Sequence, residues 1–179
     1  MSVEKAVLGL WQALSGRDWE AVKTFLSADC IYVDMPVGPT LAARGPDDIV
    51  KRLKVGLEPL AGYENHDGVL VSNGSDVMYE HSETWNWKSG ETAVLQFASV
   101  HRVEDGKVTL WKDYWDMGGL TAHAPPTWLE DLASADTSWV FDATGPSEGL
   151  SFRPNFGRLD SHRASCRIMD NSIPTRSHS

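Results

Sequence analysis

The sequence predicts one α+β domain in which a cone-shaped, curved antiparallel sheet packs against three N-terminal helices and encloses an apolar pocket. Before Gly62, most apolar residues recur at the spacing of helical faces. After Gly62 they alternate with a period of two, and the strands are divided by turn-forming pairs at Asn73-Gly74, Ser89-Gly90 and Asp105-Gly106. In addition, two of these strands carry ionisable residues between large aromatic residues, which favours a pocket over an ordinary core.

The composition limits the classes of function. A chain of 179 residues with 41% hydrophobic content fits a single globular domain. No stretch approaches the roughly 18 apolar residues of a membrane helix, so we expect no membrane association and a cytoplasmic protein. The net charge of −9 disfavours a nucleic-acid partner. Cys30 and Cys166 form neither a disulfide framework nor a metal-ligand spacing, which fits a reducing compartment. The eight tryptophans fit a lipophilic small-molecule ligand and ordinary core packing equally well.

Three helices are predicted before the sheet. The first spans residues 3 to 15, between Ser2 as N-cap and Gly16 as terminator. Its apolar face has the i, i+3, i+4, i+7 spacing and consists of Val7, Leu10, Trp11 and Leu14. Asp18 caps a shorter second helix. The third helix begins at Gly45-Pro46-Asp47-Asp48, with acidic residues at its positive end, and its inward face consists of Ile49, Leu53 and Leu57.

Alternation places the informative side chains of the sheet on defined faces. Residues 30 to 34 alternate as a strand that ends at a loop rich in proline and glycine. The strand from residue 77 to residue 85 has on one face Val77, Tyr79, His81, Glu83 and Trp85. In residues 108 to 116 the alternation groups together Thr109, Trp111, Asp113 and Trp115. Both faces therefore hold ionisable groups between large aromatic rings.

Two segments follow the sheet. Residues 117 to 143 carry enough apolar mass to dock as a short helix and a covering strand, and we expect them to cap the open end of the cone. The domain would then span residues 1 to 143. Residues 144 to 179 contain many serines and arginines and no sustained apolar period, which predicts a weakly ordered tail.

His81, Glu83 and Asp113 are the candidate site residues on the inward faces. Burying an unpaired carboxylate costs on the order of several kcal/mol or shifts its pKa, so a carboxylate in this position needs a function or a partner. The spacing fits a catalytic site, and it also fits a structural network in which His81 bridges the two carboxylates. A metal site is disfavoured, because these residues offer one nitrogen and no metal-ligand motif. No cofactor is expected.

Four segments carry a resemblance to a known family: Ile31-Tyr32-Val33-Asp34-Met35-Pro36, Glu80-His81-Ser82-Glu83, Glu104-Asp105-Gly106-Lys107-Val108 and Trp111-Lys112-Asp113-Tyr114-Trp115-Asp116. With them the chain resembles limonene-1,2-epoxide hydrolases from about Glu4 to about Leu120. The wider group also contains nuclear transport factor 2-like proteins, ketosteroid isomerases and polyketide cyclases. The resemblance implies the cone-shaped fold, but the functions within the group differ widely.

The resemblance also implies a role for each site residue. In these hydrolases an aspartate at the place of Asp113 takes a proton from water, helped by a tyrosine at Tyr32 and an asparagine at Asp34. An aspartate at the place of Glu83 protonates the epoxide oxygen, and an arginine at the place of His81 links the two acids. This chain keeps Tyr32 and Asp113 and departs at the other three positions. The largest departure is Asp34, which adds a carboxylate where the family has a neutral amide.

The resulting prediction is a cofactor-independent, one-step hydration of a lipophilic epoxide. The predicted apolar wall consists of Trp11, Leu57, Leu60, Trp85, Leu95, Phe97, Trp111 and Trp115. Two alternatives stay open. One is an isomerase, dehydratase or cyclase in which Asp34 or His81 moves a proton beside a carbonyl, and the other is a non-catalytic binder of a hydrophobic molecule. A homodimer through an exposed sheet face is a further expectation.

Overall fold

The computed structural model describes residues 1–145, so the predicted tail lies outside the described residues except for its first two positions. Within this range the helices are α1 Val3–Ser15, α2 Trp19–Phe25, α3 Pro46–Leu57, α4 Met117–Thr121 and α5 Trp128–Ala133. The strands are β1 Leu26–Asp34, β2 Ala42–Arg44, β3 Leu60–Asn73, β4 Asp76–Trp87, β5 Thr92–Glu104, β6 Lys107–Trp115 and β7 Val140–Phe141. The predicted α+β class, with three helices before the main strands, is confirmed.

The seven strands form one curved, unclosed sheet in the order β3-β4-β5-β6-β1-β2-β7. Their pairing is antiparallel except between β1 and β6, which run parallel. The sheet is therefore mixed, whereas the sequence predicted an antiparallel one. The difference arises because the long connection through α3 separates β1 from the later strands, and such a connection does not impose the antiparallel direction of a hairpin. The parallel pairing places Asp34 beside Asp113.

The predicted helical faces pack on the sheet. Ser2 accepts a hydrogen bond from the backbone N–H of Lys5 at 3.3 Å, and Asp18 accepts one from Ala21 at 3.0 Å, so both predicted N-caps are confirmed. Helix α1 lies across β3, β4, β5 and β6. The buried residues of α1 and α3 are Ala6, Val7, Leu10, Trp11, Leu14, Ile49, Val50, Leu53 and Leu57. These side chains form the helical side of the main core.

The segment after β6 packs on the main core and pairs with an edge of the sheet. We call residues 117–143 the capping extension. Its helices α4 and α5 pack on the main core through Leu120 and Trp128. Its strand β7 pairs with β2, which places Phe141 opposite Ala42. The extension is thus attached to the domain at both ends.

The outer face of the sheet is partly apolar. Its exposed large hydrophobic residues include Val69, Val71, Met78, Val94 and Tyr114. An apolar groove runs between strands β3 to β6 on this face, lined in part by Val71, Met78 and Tyr114. A homodimer through this face stays a prediction.

Strand β3 contains a bulge opposite β4. The register between β3 and β4 shifts between His66 and Val69, and Gly68 lies inside this shift. A Cβ atom on Gly68 would lie 2.2 Å from the carbonyl oxygen of Glu80. Bulges bend and twist a strand, so this close approach helps β3 to curve over the helices.

Gly68→Ala should lower the free energy of unfolding by about 1–3 kcal/mol, because the added methyl group forces β3 away from β4. Urea denaturation measures the effect. Gly16→Ala is the matched control, since the nearest atom to its Cβ would be the carbonyl oxygen of Ala13 at 3.6 Å, an ordinary contact. Equal losses in the two variants would contradict the assigned close approach.

Candidate active site

A cavity of about 80 Å³ lies between α1, α3, the sheet and the capping extension. This volume is enough for several water molecules or a small organic ligand. The apolar residues on its wall include Trp11, Leu14, Val37, Leu53, Leu57, Trp85, Phe97, Trp115, Met117, Leu120, Trp128 and Leu132. Its polar residues are Tyr32, Asp34, Arg52, Tyr63, Glu83 and Asp113. An apolar cavity with a few convergent polar groups is typical of a small-molecule site.

Asp113 is buried on β6 and is held by three donors. Its Oδ1 accepts hydrogen bonds from Ser99 Oγ at 2.5 Å and from Trp111 Nε1 at 2.6 Å. Its Oδ2 accepts one from the Tyr32 hydroxyl at 3.0 Å. The sheet explains this arrangement, because Ser99 is the partner of Asp113 across the β5–β6 pair, and Tyr32 lies on the parallel neighbour β1. The carboxyl group is therefore fixed in orientation at the cavity wall.

Burial raises the pKa of Asp113 to about 7. The hydrogen bonds from Ser99 and Trp111 lower it, whereas the negative charges of Asp34 and Glu83 raise it further. The rise in pKa caused by burial therefore outweighs the lowering by the hydrogen-bond donors, and Asp113 changes charge near neutral pH. A pKa near the operating pH is the favourable value for a general base or acid.

Glu83 is the second buried carboxyl of the cavity. Its Oε1 accepts a hydrogen bond from the Tyr63 hydroxyl at 2.8 Å, and its Oε2 accepts one from Trp85 Nε1 at 2.8 Å. Burial and the charge of Glu83 raise the pKa of Tyr63 well above its ordinary value, so the phenol remains protonated and donates. Glu83 and Asp113 thus share a pattern in which a tyrosine binds one carboxyl oxygen and an indole binds the other.

His81 lies behind Glu83 and away from the cavity wall. Its Nε2 is 3.5 Å from Glu83 Oε1, but the geometry makes no hydrogen bond, and within residues 1–145 this nitrogen has no hydrogen-bond partner. Its ring packs against Trp11, Tyr79 and Phe97. Of the two acids that it was expected to bridge, the described residues show a contact with Glu83 alone.

Asp34 is paired with a cation that the sequence analysis did not identify. Its Oδ2 forms an ion pair with Arg52 Nη2, and its Oδ1 accepts a hydrogen bond from Trp115 Nε1 at 2.6 Å. Burial raises the pKa of Asp34, and the Arg52 charge opposes that rise. The extra carboxylate, the largest departure from the resembling family, therefore has its own counter-charge. On its other side the guanidinium lies 5.3 Å from the centre of the Trp139 ring.

The structure divides the predicted residues into two groups. On the cavity wall it places Tyr32, Asp34, Glu83, Asp113, Trp11, Leu57, Trp85, Phe97 and Trp115. In the core behind that wall it places His81, Leu60, Leu95 and Trp111. Among these, Trp111 acts on the cavity through its hydrogen bond to Asp113 rather than by lining it.

Sequence reasoning missed three polar residues of the site, namely Arg52, Tyr63 and Ser99. Ser99 pairs with Asp113 across β5 and β6, and Tyr63 pairs with Trp85 across β3 and β4. Each of these strand pairs contains a register shift, so counting residues back from the turns does not give the correct partners. Arg52 lies next to the inward-facing Leu53 on α3, and this position was the one feature of the sequence that could have indicated a role for Arg52 in the site.

Comparisons with known proteins agree with the observed fold. Residues 7–111, more than half of the chain, match the SnoaL-like domain, and the chain belongs to this family. An epoxide hydrolase of the limonene-epoxide-hydrolase-like type from M. tuberculosis is 22% identical with a TM-score of 0.58, covering 73% of this chain and 92% of that one. A putative polyketide cyclase from Xanthomonas campestris is 22% identical with a TM-score of 0.60, covering 67% and 94%.

A protein of ketosteroid isomerase-like fold from Catenulispora acidiphila, in complex with trimethylamine, is 20% identical with a TM-score of 0.60, covering 66% of this chain and 90% of that one. At such identities the likeness to solved structures establishes the fold. The match to the SnoaL-like domain confirms the predicted superfamily. Within residues 1–145, no group of three or more His, Cys, Asp or Glu side chains is placed to hold a metal ion. In the same range no helix is long and apolar enough to cross a membrane.

Asp113→Asn should stabilise the fold at pH 8 and have little effect near pH 4. The ordinary pKa of the group is 3.8, and burial raises it to about 7 in the folded protein. As the pH rises between these values, the unfolded chain loses its proton first, so the acid opposes folding increasingly up to about pH 7. The amide removes this pH-dependent cost, and its oxygen still accepts from Ser99 and Trp111.

Urea denaturation of both proteins at the two pH values measures the difference in unfolding free energy. Asp105→Asn, at an exposed turn, is the matched control and should show the same small difference at both pH values. A difference for Asp113→Asn that does not change with pH would show that its carboxyl has no raised pKa.

Proposed function

We propose that the protein adds water to a lipophilic epoxide in one step, without a cofactor or a covalent intermediate. The observation that carries this proposal is a pair of buried carboxyl groups, Asp113 and Glu83, at the wall of one apolar cavity. Each is oriented by a tyrosine and an indole, and the first has a pKa of about 7. The likeness to an epoxide hydrolase supports the proposal at the level of the fold.

The chemistry needs a base and an acid at the same moment. Ionised Asp113 takes a proton from water as the water oxygen bonds to an epoxide carbon. In the reactive form the proton of the pair lies on Glu83, which gives it to the epoxide oxygen as the carbon–oxygen bond breaks, because an alkoxide is otherwise a poor leaving group. A positioned acid or base contributes typically about 10²- to 10⁴-fold. The net proton transfer from Glu83 to Asp113 is then reversed through solvent.

Tyr32 and Asp34 are the proposed water-positioning groups. Tyr32 binds Asp113 directly, at 3.0 Å, so its hydroxyl lies beside the proposed base. Asp34 borders the same cavity and is paired with Arg52. This ion pair keeps Asp34 from competing with Asp113 for the proton of the water, because a carboxylate next to a cation is a weaker base.

The cavity wall supports a lipophilic substrate. Besides two tyrosines, the cavity is lined by five aromatic side chains, namely Trp11, Trp85, Phe97, Trp115 and Trp128. Such a wall favours a lipophilic molecule whose single polar group reaches the carboxyl cluster.

Proton transfer beside a carbonyl is the second candidate function. It is supported by the position of Asp34 on the cavity wall and by the likeness to a putative polyketide cyclase. In that reaction Asp34 would be the base. One of its oxygens is however paired with the Arg52 cation and the other accepts from Trp115, and a neighbouring cation weakens a carboxylate as a base. A non-catalytic binder would need neither carboxyl group.

Asp113→Asn should lower epoxide hydrolysis by about 10²-fold or more, since it removes the base and keeps the shape. Asp34→Asn should retain hydrolysis and move the acid limb of kcat/KM to lower pH. It removes a negative charge that raises the pKa of Asp113, and it frees the Arg52 cation. Diol formation from a panel of lipophilic epoxides, followed by mass spectrometry, measures both effects.

A single turnover in heavy-oxygen water tests the step itself. Direct attack places the label in the diol at the first turnover, whereas an ester intermediate would supply its first oxygen from a carboxylate. Asp105→Asn is again the control and should behave as the wild type. If Asp34→Asn abolished turnover while Asp113→Asn spared it, the base would be Asp34 and the hydrolase proposal would be wrong.

A further inference from the structure

The capping extension contributes to the cavity from outside the matched family domain. That domain ends at residue 111. The extension adds to the wall the side chains of Met117, Leu120, Trp128 and Leu132. Its far end is fixed on the sheet by β7 and by a hydrogen bond from the backbone N–H of Ala143 to the carbonyl oxygen of Pro39 at 2.9 Å. The extension therefore covers the cavity and is anchored beyond it.

Trp139 connects the anchored end of the extension to the charged part of the cavity. Its side chain is buried, and its Nε1 donates to the carbonyl oxygen of Asp136 at 2.5 Å, which sets the ring orientation. The guanidinium carbon of Arg52 lies 5.3 Å from the centre of this ring. The same guanidinium is paired with Asp34. Arg52 is thus held between an aromatic ring of the extension and a carboxylate of the site.

We propose that Trp139 is a positioning residue that holds the Arg52 guanidinium against Asp34, so that the site has its full charge arrangement only when the capping extension covers the cavity. A cation over an aromatic ring is attracted by the negative face of the ring, most strongly for tryptophan. The consequence for turnover rests on the proposed function. The consequence for the carboxyl groups does not, and it is measured separately.

Asp34 faces charged or titratable groups from several elements. They are Arg52 of α3, Glu83 of β4, Asp113 of β6 and Tyr32 of its own strand β1. Among residues 1–145, Arg52 is the only basic side chain that lines the cavity. Three carboxyl groups therefore line the cavity beside one cation, and that cation acts directly on Asp34.

Releasing Arg52 should raise the pH at which Asp34 loses its proton. Arg52 stabilises the ionised form of Asp34 and opposes the rise in pKa that burial causes. Removing the cation takes that opposition away, so the apparent pKa of Asp34 rises. Because Asp34 and Asp113 interact, the midpoint is read as an apparent value from the Asp34 signal.

Nuclear magnetic resonance of the full chain, labelled with ¹³C at the aspartate side-chain carboxyls, tests this inference without any substrate. Asp34→Asn and Asp113→Asn assign the two signals. Trp139→Leu should raise the apparent pKa read from the Asp34 signal by about 0.5 unit or more. Trp139→Phe keeps a weaker aromatic partner and should give a smaller rise in the same direction. If the leucine variant does not fold, the phenylalanine variant decides, and no rise there overturns the inference.

Phe141→Leu is the matched control from the same part of the extension. Its ring lies 5.2 Å from the guanidinium carbon of Arg44, which does not line the cavity, so the titration should stay as in the wild type. Arg52→Gln should itself raise the apparent pKa read from the Asp34 signal, and adding Trp139→Leu to it should change nothing further. An equal rise in Phe141→Leu, or an additive rise in the double variant, would show that Trp139 does not act through Arg52.

The two proposals can fail separately. A titration that responds as expected in a protein that hydrates no epoxide would support the role of Trp139 and contradict the proposed function. A protein that hydrates epoxides, but whose carboxyl titration does not change in the Trp139 variants, would support the proposed function and contradict the role of Trp139.

Discussion

The cost of burying three carboxyl groups around one apolar cavity is the constraint on which the rest of the structure depends. An unpaired charge in such a place is strongly disfavoured, so each carboxyl must be neutralised or surrounded by donors. The protein does both. Asp34 is paired with a cation, whereas Asp113 receives three hydrogen bonds and still has its pKa raised to about 7.

Indole groups meet this constraint in a way that accounts for part of the tryptophan content. Trp85, Trp111 and Trp115 each donate Nε1–H to a carboxyl oxygen of the cluster. Their rings are otherwise apolar, so they provide a donor and exclude water at the same time. The tryptophans therefore serve both in core packing and in lining the cavity. Trp111 packs in the core, whereas Trp85 and Trp115 line the cavity.

The topology brings the charged groups together. The parallel pairing of β1 with β6 sets Asp34 beside Asp113, and the antiparallel pairing of β5 with β6 sets Ser99 opposite Asp113. Helix α3, packed over β1, brings Arg52 to the same end of the cavity. A site of this kind needs all these elements at once, since each supplies a different part of the charge balance.

Local features made the elements predictable from the sequence. The caps at Ser2 and Asp18 and the helical spacing of apolar residues depend on neighbours within one or two turns. The inward faces of β4 and β6 followed from alternation alone, and these faces carry Glu83 and Asp113. For this reason the sequence was sufficient to predict that both acids face the inside of the sheet.

The partners of those acids depend on register, which alternation does not determine. Counting back from the Asp105-Gly106 turn without a bulge pairs Asp113 with Ala98, but the irregularity between Arg102 and Val103 pairs it with Ser99. A shift of one residue exchanges the two faces of a strand. The sequence likewise could not show that Leu60, Leu95 and Trp111 lie in the core behind the cavity wall. Alternation distinguishes inward-facing from outward-facing residues, but it does not distinguish residues that line the cavity from residues of the core.

The central claim is that Asp113 is a buried acid which changes charge near neutral pH. Titrating its ¹³C-labelled side-chain carboxyl in the wild-type protein, assigned by the signal missing from Asp113→Asn, tests this claim most directly. The account predicts a midpoint near 7, and a midpoint at the ordinary value of 3.8 would contradict it.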